Sequence, residues 1–533
     1  MTLRHALQSL AIACLVVPIA AAQEIKLTAS DTSQGDQFGA AVSVDGQTAV
    51  VGAPGDGPAE LNGAGSAYVF VRSGSRWTEA AKLVASDPSL NDTFGEAVAV
   101  SGDTVVIGAP QDNHAGGLDA GSAYVFVRNG GAWTEQAKLT ASDASASDRF
   151  GWSVALAGDI VVIGVPLDDH AGGADAGSAY VFARSDGVWT EQAHLLTTDT
   201  APNDRLGESV AVSGETAVLG APGDDTPDGF DAGSAFVFVR SGALWTQQAK
   251  LRAADAAPSD VLGVSVAISG DTVLAGAYAE DNEGGLAAGS AYVFVRSGTA
   301  WTQQAKLMAS DGTVFDLFGS AVALSGDRAV VGALEDDPAG LPKAGSMYVY
   351  HRSGTAWAGE VKLVASDAAA FDEFSESVAV SGETVLSGAW MDGHAGGSFA
   401  GSAYVYDMAG VPWTDLGSGL AGVAGVPRLE GHGTLLAGTQ GAVELTSAAP
   451  SSLALLVLAS GSTPTPFKCG TLVPVPMAVS LLLSTNASGT ITGGWSSWPG
   501  GLSGLSLYFQ YALQDAAAVC GVSLSNALRA DVP

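Results

Sequence analysis

The chain has 533 residues and a formal net charge of −33, from 22 Lys and Arg against 55 Asp and Glu. So acidic a balance disfavours nucleic acid and anionic membrane as partners. The length holds one large domain and one small one.

Met1–Ala22 has the pattern of a secretory signal: Arg4 and His5, an apolar run from Ala6 to Ala20, and a small-residue cleavage site at Ala20-Ala21-Ala22. Cys14 lies inside it. No other run reaches the roughly 20 apolar residues of a membrane-spanning helix. An exported chain without membrane insertion, secreted or held at the cell surface, is expected.

A repeat of 56 residues then takes over. Trp77, Trp133, Trp189, Trp245, Trp301, Trp357 and Trp413 keep this step, as do the Gly-Ser pairs from Gly65 to Gly401. Seven units run from Glu24 to Asp415. In the second unit four β-type runs are Glu96–Val100, Thr104–Ala109, Ser122–Val127 and Trp133–Leu139. The middle two are almost unbroken apolar runs, as suits strands buried on both faces. The fourth alternates apolar and polar residues and carries Lys138, as suits a guarded outer edge. Ser101-Gly102-Asp103 and Asn129-Gly130-Gly131 read as tight turns. Four-stranded units with edges to hide close most simply into a ring, and propellers have roughly 4–8 such blades. The fold class expected is all-β: a seven-bladed propeller over residues 23–416 after a signal at 1–22, then a small all-β, sandwich-like domain over 417–533. Gln23–Leu27 copies the end of a fourth strand and Val411–Leu416 its start, so the two are expected to complete one blade.

Phe94-Gly95 and Gly108-Ala109-Pro110, followed by an acidic loop and Gly-Ser-Ala-Tyr-Val-Phe, resemble the FG-GAP repeat of integrin α chains and of many secreted bacterial proteins. The likeness covers about three quarters of the chain. It implies a ligand-binding propeller, not an enzyme. Integrin-type repeats carry a calcium loop just before Gly-Ala-Pro. Here only the turn Ser101-Gly102-Asp103 stands in that place, so none of those metal residues has a counterpart.

After Asp415 the period stops. Leu453–Leu458, Val479–Leu483 and Leu505–Leu513 read as strands. Cys469 and Cys520 both fall in this segment of an exported chain, and a disulfide between them is preferred over two buried thiols. Asn486-Ala487-Ser488 fits a glycosylation pattern but reads as a turn.

Strand parity puts the loop between strands two and three, and the loop entering the next blade, on one face. Three acidic positions recur there in all seven units: those of Asp87, Asp92 and Asp112 in the second. Either each carboxylate ties its own loop to backbone N–H groups, or pairs such as Asp87 and Asp92, Asp143 and Asp148, Asp199 and Asp204 bind calcium, a cation that takes six to eight oxygens. Arg128 and its equivalents end the third strands on the opposite face, within reach of turn acids such as Asp103 and Asp159. His114, His170 and His394 share one loop position. They suit loop residues better than a transition-metal site, since each blade offers one.

A unique site must differ from its copies. Tyr278 and Trp390 replace the Pro of Gly-Ala-Pro. Phe315 and Phe371 stand where other blades have Gly, Asn or Ser, and Phe399 replaces an Asp. All five belong to the later blades and to the acidic face, and together they suggest a ligand-binding patch. The alternative is packing where the ring closes. The function expected is non-catalytic binding of an extracellular protein or glycan by a monomeric propeller. A structural display protein is the first rival. A carboxylate-based hydrolase is the second, though no Gly-x-Ser-x-Gly, His-Glu-x-x-His or P-loop motif is present.

Overall fold

The computed structural model describes residues 23–57, 61–74, 76–408, 413–415, 428–432, 441–446, 448, 451–459, 465–467, 470–472, 479–486, 490–495, 506–514, 522–525 and 528–531. The expected signal segment, Cys469 and Cys520 lie outside these. Contacts divide the chain into two compact units, one of residues 24–357 and 361–406 and one that holds 407–533.

The first unit is a ring of seven four-stranded antiparallel sheets. In the second blade the strands are Ala97–Ser101, Thr104–Ala109, Ser122–Asn129 and Ala132–Leu139. The middle strands are buried on both faces, as their unbroken apolar runs require. The innermost strands adjoin one another around a closed circle, with Val42–Asp45 of the first blade beside Val378–Ser381 of the seventh. They therefore wall a central channel. Each hydrophobic cluster bridges two neighbouring blades. One joins Leu386, Ala403 and Val405 of the seventh blade to Phe38, Val42 and Tyr68 of the first.

Two sequence features have direct geometric causes. Gly52, from one blade's Gly-Ala-Pro, lies against Gly95, from the next blade's Phe-Gly. A Cβ on Gly52 would overlap the Gly95 carbonyl oxygen, and Gly95 itself sits at φ +103°. Phe94 beside it is fully buried, edge-on to Tyr124 at 5.4 Å and Phe126 at 6.0 Å. The second feature is a bulge in the outer strand pair, where register shifts between Val125 and Phe126 and leaves Gln136 without a partner in the ladder. Its Oε1 accepts the Trp189 indole N–H of the next blade at 2.9 Å. A bulge re-aims a side chain in this way, and the Gln–Trp tie recurs from Gln192 to Trp245 and from Gln248 to Trp301.

Gln23–Leu27 is the outer strand of the seventh blade, paired to Ser402–Asp407. Of the expected Val411–Leu416 piece only Trp413–Asp415 is described, and it does not share that blade. Trp413–Asp415 pairs instead with Leu528–Asp531, because the N-terminal strand already fills the edge it was expected to occupy.

The second unit, in its described residues, is all β. One sheet runs in the order Trp413–Asp415, Leu528–Asp531, Ser506–Gln514, Leu453–Ala459, Val479–Ser484, with Val522–Leu524 also on Ser506–Gln514. A second holds Arg428–His432, Gly441–Thr446 and Ile491–Trp495. The three strands expected here pair with one another. Asn486 Oδ1 accepts the Thr490 N–H at 2.9 Å, and Ala487 and Ser488 lie outside the described residues.

Candidate functional site

The loop face carries three concentric features: an outer belt of aspartates, an arc of exposed apolar side chains, and the mouth of the central channel.

In the belt, sequence proximity is not the pairing that forms. Asp87 is joined not to Asp92 but to Asp112, through Lys138, whose ammonium lies 2.8 Å from Asp87 and 2.6 Å from Asp112. The Tyr124 hydroxyl donates to Asp87 at 2.8 Å. The lysine expected to guard an outer edge thus turns onto the acidic loops. The same clasp recurs at Lys82, Lys250, Lys306 and Lys362. Lys26, from the N-terminal strand, clasps Asp367 and Asp392 of the seventh blade at 2.7 and 2.6 Å. In the third blade His194 takes the lysine's place, 3.2 Å from Asp168, 3.7 Å from Asp143 and stacked on Tyr180. Burial alone would raise Asp87, but hydrogen bonds from Lys138 and Tyr124 outweigh it and hold the carboxyl below its ordinary range.

Asp92 has another task. One oxygen accepts the Ser89 N–H at 2.5 Å, and Asp148 and Asp204 do the same for Ser145 and Ala201. Burial pushes Asp92, Asp148 and Asp204 up to about 6. The second oxygen of Asp92 is buried without a partner.

The loop histidines are staples. His114 Nδ1 accepts the Gly116 N–H and Nε2 donates to the Gly121 carbonyl, each at 2.9 Å. Asn282 makes the equivalent two bonds in the fifth blade, so the position asks for a donor and an acceptor rather than a metal ligand. On the opposite face Arg128 and Arg184 pair with Asp103 and Asp159 at 2.7 Å, as their positions suggested.

The five departures from the repeat separate. Phe315, Phe371 and Phe399 are 51%, 56% and 49% exposed. Tyr278 and Trp390 are half-buried, and the Trp390 indole donates to Glu373 at 2.9 Å. None of the five rings stacks on another among the described residues. Each loop between strands two and three is stitched to the loop entering the next blade. The Phe315 N–H donates to Leu286 O at 2.9 Å, Phe371 N–H to Pro342 O at 2.8 Å, and Gln37 N–H to Phe399 O at 3.0 Å. The stitching sets Phe230, Leu286, Phe315, Phe371 and Phe399 along one arc of the rim, and Phe230 and Leu286 are also more than half exposed.

The channel mouth is the feature that the sequence reading missed. The residue after Phe-Gly, or after the Leu-Gly or Phe-Ser that replaces it in the fourth, fifth and seventh blades, is Ala40, Glu96, Trp152, Glu208, Val264, Ser320 and Glu376. Six of these line a cavity of about 280 Å³, whose deeper wall is a ring of Ala, Ser and Val from all seven innermost strands. Trp152 stands between the blades of Glu96 and Glu208. Its indole donates to Glu208, and the Arg149 guanidinium lies 5.5 Å from its ring centre. Burial raises Glu208 despite Arg205 and that indole. Glu376 is exposed at the mouth, and desolvation with repulsion from Glu373 and Glu96 moves it above the ordinary carboxylate range. The signal was available: in otherwise like units this one position holds acids, an aromatic, a hydroxyl and aliphatic residues.

A model of the FG-GAP repeat matches residues 22–70, 77–126, 133–182, 189–238, 245–294, 301–350 and 357–406. The chain belongs to the FG-GAP repeat family. No curated protein matches it. Among solved structures it is similar to the periplasmic gluconolactonase of Pseudomonas aeruginosa, at 14% identity and a TM-score of 0.40, over 62% of this chain and 86% of that one; so remote a likeness carries no argument about chemistry.

This FG-GAP ring departs from the integrin-type pattern where that pattern binds calcium. The turn in that place holds one acid, Asp103, and Arg128 already engages it. The Asp87–Asp92 type of pair fits calcium poorly as well. Asp87 is filled by a lysine and a tyrosine, which leaves one buried oxygen of Asp92 against the six to eight that calcium takes. Among the described residues no group of three or more His, Cys, Asp or Glu is arranged to hold a metal ion. No helix among them is long and apolar enough to cross a membrane.

Proposed function

We propose that this FG-GAP propeller is an exported, non-catalytic binding protein that recognises an extracellular protein or glycan through the apolar arc on its loop face. The observation that carries the reading is the backbone of the three phenylalanines. Phe315, Phe371 and Phe399 have φ of 68°, 69° and 55°. Equivalent places in other blades hold Gly35, Asn91 and Ser147, or Asp119 and Asp175. The left-handed region disfavours a bulky residue by about 1–2 kcal/mol, and half-exposed rings recover little of that by burial. Neither local conformation nor packing favours phenylalanine here, which leaves a partner surface as its use. Exposed aromatics anchor interfaces in this way.

The test is a triple variant that restores the residues of sister blades, Phe315→Ser, Phe371→Asn and Phe399→Asp. The full chain and the variant are compared on arrays of extracellular matrix proteins and glycans. The expected result is at least a tenfold loss of binding with an unchanged or raised melting temperature. Unchanged binding, or a melting temperature several degrees lower, would overturn the reading in favour of a packing role.

A further inference from the structure

On the face of the tight turns, one turn differs from its copies. Ser73, Ser185, Ser241, Ser297 and Ser353 hold the position of Asn129 in other blades. In the second blade it is an asparagine followed by two glycines. Asn129 pairs with Ala132 across the hairpin, so Gly130 and Gly131 are its two-residue loop. Their φ of 58° and 92° are the left-handed values that a type I′ turn requires at both central positions. All three residues are exposed. A Cβ on Gly130 or Gly131 would meet nothing within 4 Å. Among the described residues no hydrogen bond holds the Asn129 side-chain amide or the Gly130 N–H.

The chain has a second Asn-Gly pair, Asn62-Gly63, whose surroundings are the reverse. Gly63 is buried. A Cβ there would lie 3.0 Å from Asn91 Oδ1 and 3.4 Å from Asn91 Cα. The Asn62 carbonyl accepts the Asn91 N–H at 3.2 Å, and the Gly63 carbonyl accepts the Thr93 N–H at 3.0 Å. Both residues are pinned to the loop that enters the next blade.

We propose that Asn129-Gly130 is a self-modification site, where the chain converts its own asparagine to aspartate and isoaspartate with water as the only co-reactant. The Gly130 main-chain nitrogen attacks the Asn129 Cγ and loses its proton to solvent. The new C–N bond closes a five-membered succinimide, and the side-chain nitrogen leaves as ammonia. Water then opens one of the two imide carbonyls. Opening at Cγ gives aspartate, and opening at the Asn129 main-chain carbonyl gives isoaspartate, in which the chain runs through Cγ. Glycine has no Cβ to shield the attacking nitrogen, and the serines of the other blades have no side-chain carbonyl to attack. The product adds a carboxylate, and in the iso form one main-chain methylene, at the hairpin end next to the pair Arg128 and Trp133. The site lies on the face opposite the phenylalanine arc and stands or falls independently of it.

The experiment incubates the full chain for several weeks at pH 8 in water enriched in heavy oxygen, folded in one arm and unfolded by urea in the other. Tryptic peptides that hold Asn129 and Asn62 are then compared by mass, and an isoaspartyl methyltransferase reads the iso form in peptide Asn129–Lys138. Heavy oxygen separates conversion during incubation from conversion during digestion. In the folded arm Asn129 should take up label at least tenfold faster than Asn62, with isoaspartate present. In urea the two should react at similar rates. The variant Asn129→Ser, which copies the other blades and should fold, should leave this peptide unlabelled. An Asn129 that stays unlabelled in the folded arm while the urea arm reacts, or equal rates at the two asparagines in the folded arm, would overturn the proposal.

Discussion

Asp112 and Glu376 stand on the same face of the ring, one in the belt and one at the channel mouth. Asp112 is clasped by Lys138 and by the Ser122 hydroxyl. Glu376 is exposed, has no ion-pair partner among the described residues, and has two acids acting on it. The belt arrangement recurs around the ring, while a glutamate stands at the mouth in only three blades, those of Glu96, Glu208 and Glu376. In a ring of copies a charged group that appears in every blade serves the blade, and its neutralising partner is copied with it. The mouth glutamates have no copied lysine, and they keep contact with solvent instead. The comparison gives a rule for reading repeat proteins by partner as well as by residue type.

Breaking the belt should have the largest effect. Lys26→Met leaves Asp392, which is 5% exposed, without its counter-charge and loosens the N-terminal strand at the same time. Removing one partner of a buried pair costs about 3 kcal/mol or more. Chemical denaturation should show that loss, whereas Glu376→Ala at the exposed mouth should lose nothing. A drop below about 1 kcal/mol for Lys26→Met would mean that the clasp is decorative.

A smaller effect of opposite sign is expected at Asp92. Its folded pKa of about 6 lies above the ordinary 3.8, so ionisation works against folding. Its contribution to stability should therefore rise as pH falls from above 6 towards 4, and vanish from the difference below that. Asp92→Asn keeps an acceptor for the Ser89 N–H and removes the charge. It should stabilise the protein by on the order of 1 kcal/mol at pH 8 and by nothing at pH 4. Melting curves at the two pH values decide it.

Smallest is the effect of calcium. If the belt lysines supply the counter-charge, melting in millimolar calcium and in chelator should agree within a degree. A metal at a hundredfold excess over its Kd would instead add about 2.7 kcal/mol, which would show that an ion displaces the lysines.

Much of the ring was legible in the sequence. A period of fixed length, apolar runs bounded by Gly-rich turns, and Trp and Gly-Ser in register sufficed for seven blades of four strands, because each is a local signal repeated seven times. The partner of Lys138 was not legible, since Asp87 and Asp112 lie far from it along the chain and meet it only across a bulged edge. The fate of Trp413 was hidden for a similar reason: two segments competed for one edge, and only three-dimensional closure decides which wins. Glu96, Glu208 and Glu376 were visible as letters. Their importance depends on knowing that the residue after Phe-Gly enters the channel, which follows from the ring and not from any one unit.

The strand Gln23–Leu27 has a consequence for how the molecule is made. It is made before the rest of the ring and must wait for Ser402–Asp407, nearly the whole ring later, before its hydrogen bonds exist. Synthesis at roughly 5–20 residues per second makes that wait tens of seconds. Throughout it the growing array has two raw ends, an unpaired strand at one and an uncovered blade at the other. The loop-closure entropy of the last step grows only slowly with the residues enclosed, so delay, rather than free energy, is the hazard. Lys26 and Glu24 place a positive and a negative charge on that waiting strand. Before closure they discourage it from pairing with another chain, and after closure they become its fastenings, to Asp367 and Asp392 on one side and to Ser366 and Tyr406 on the other.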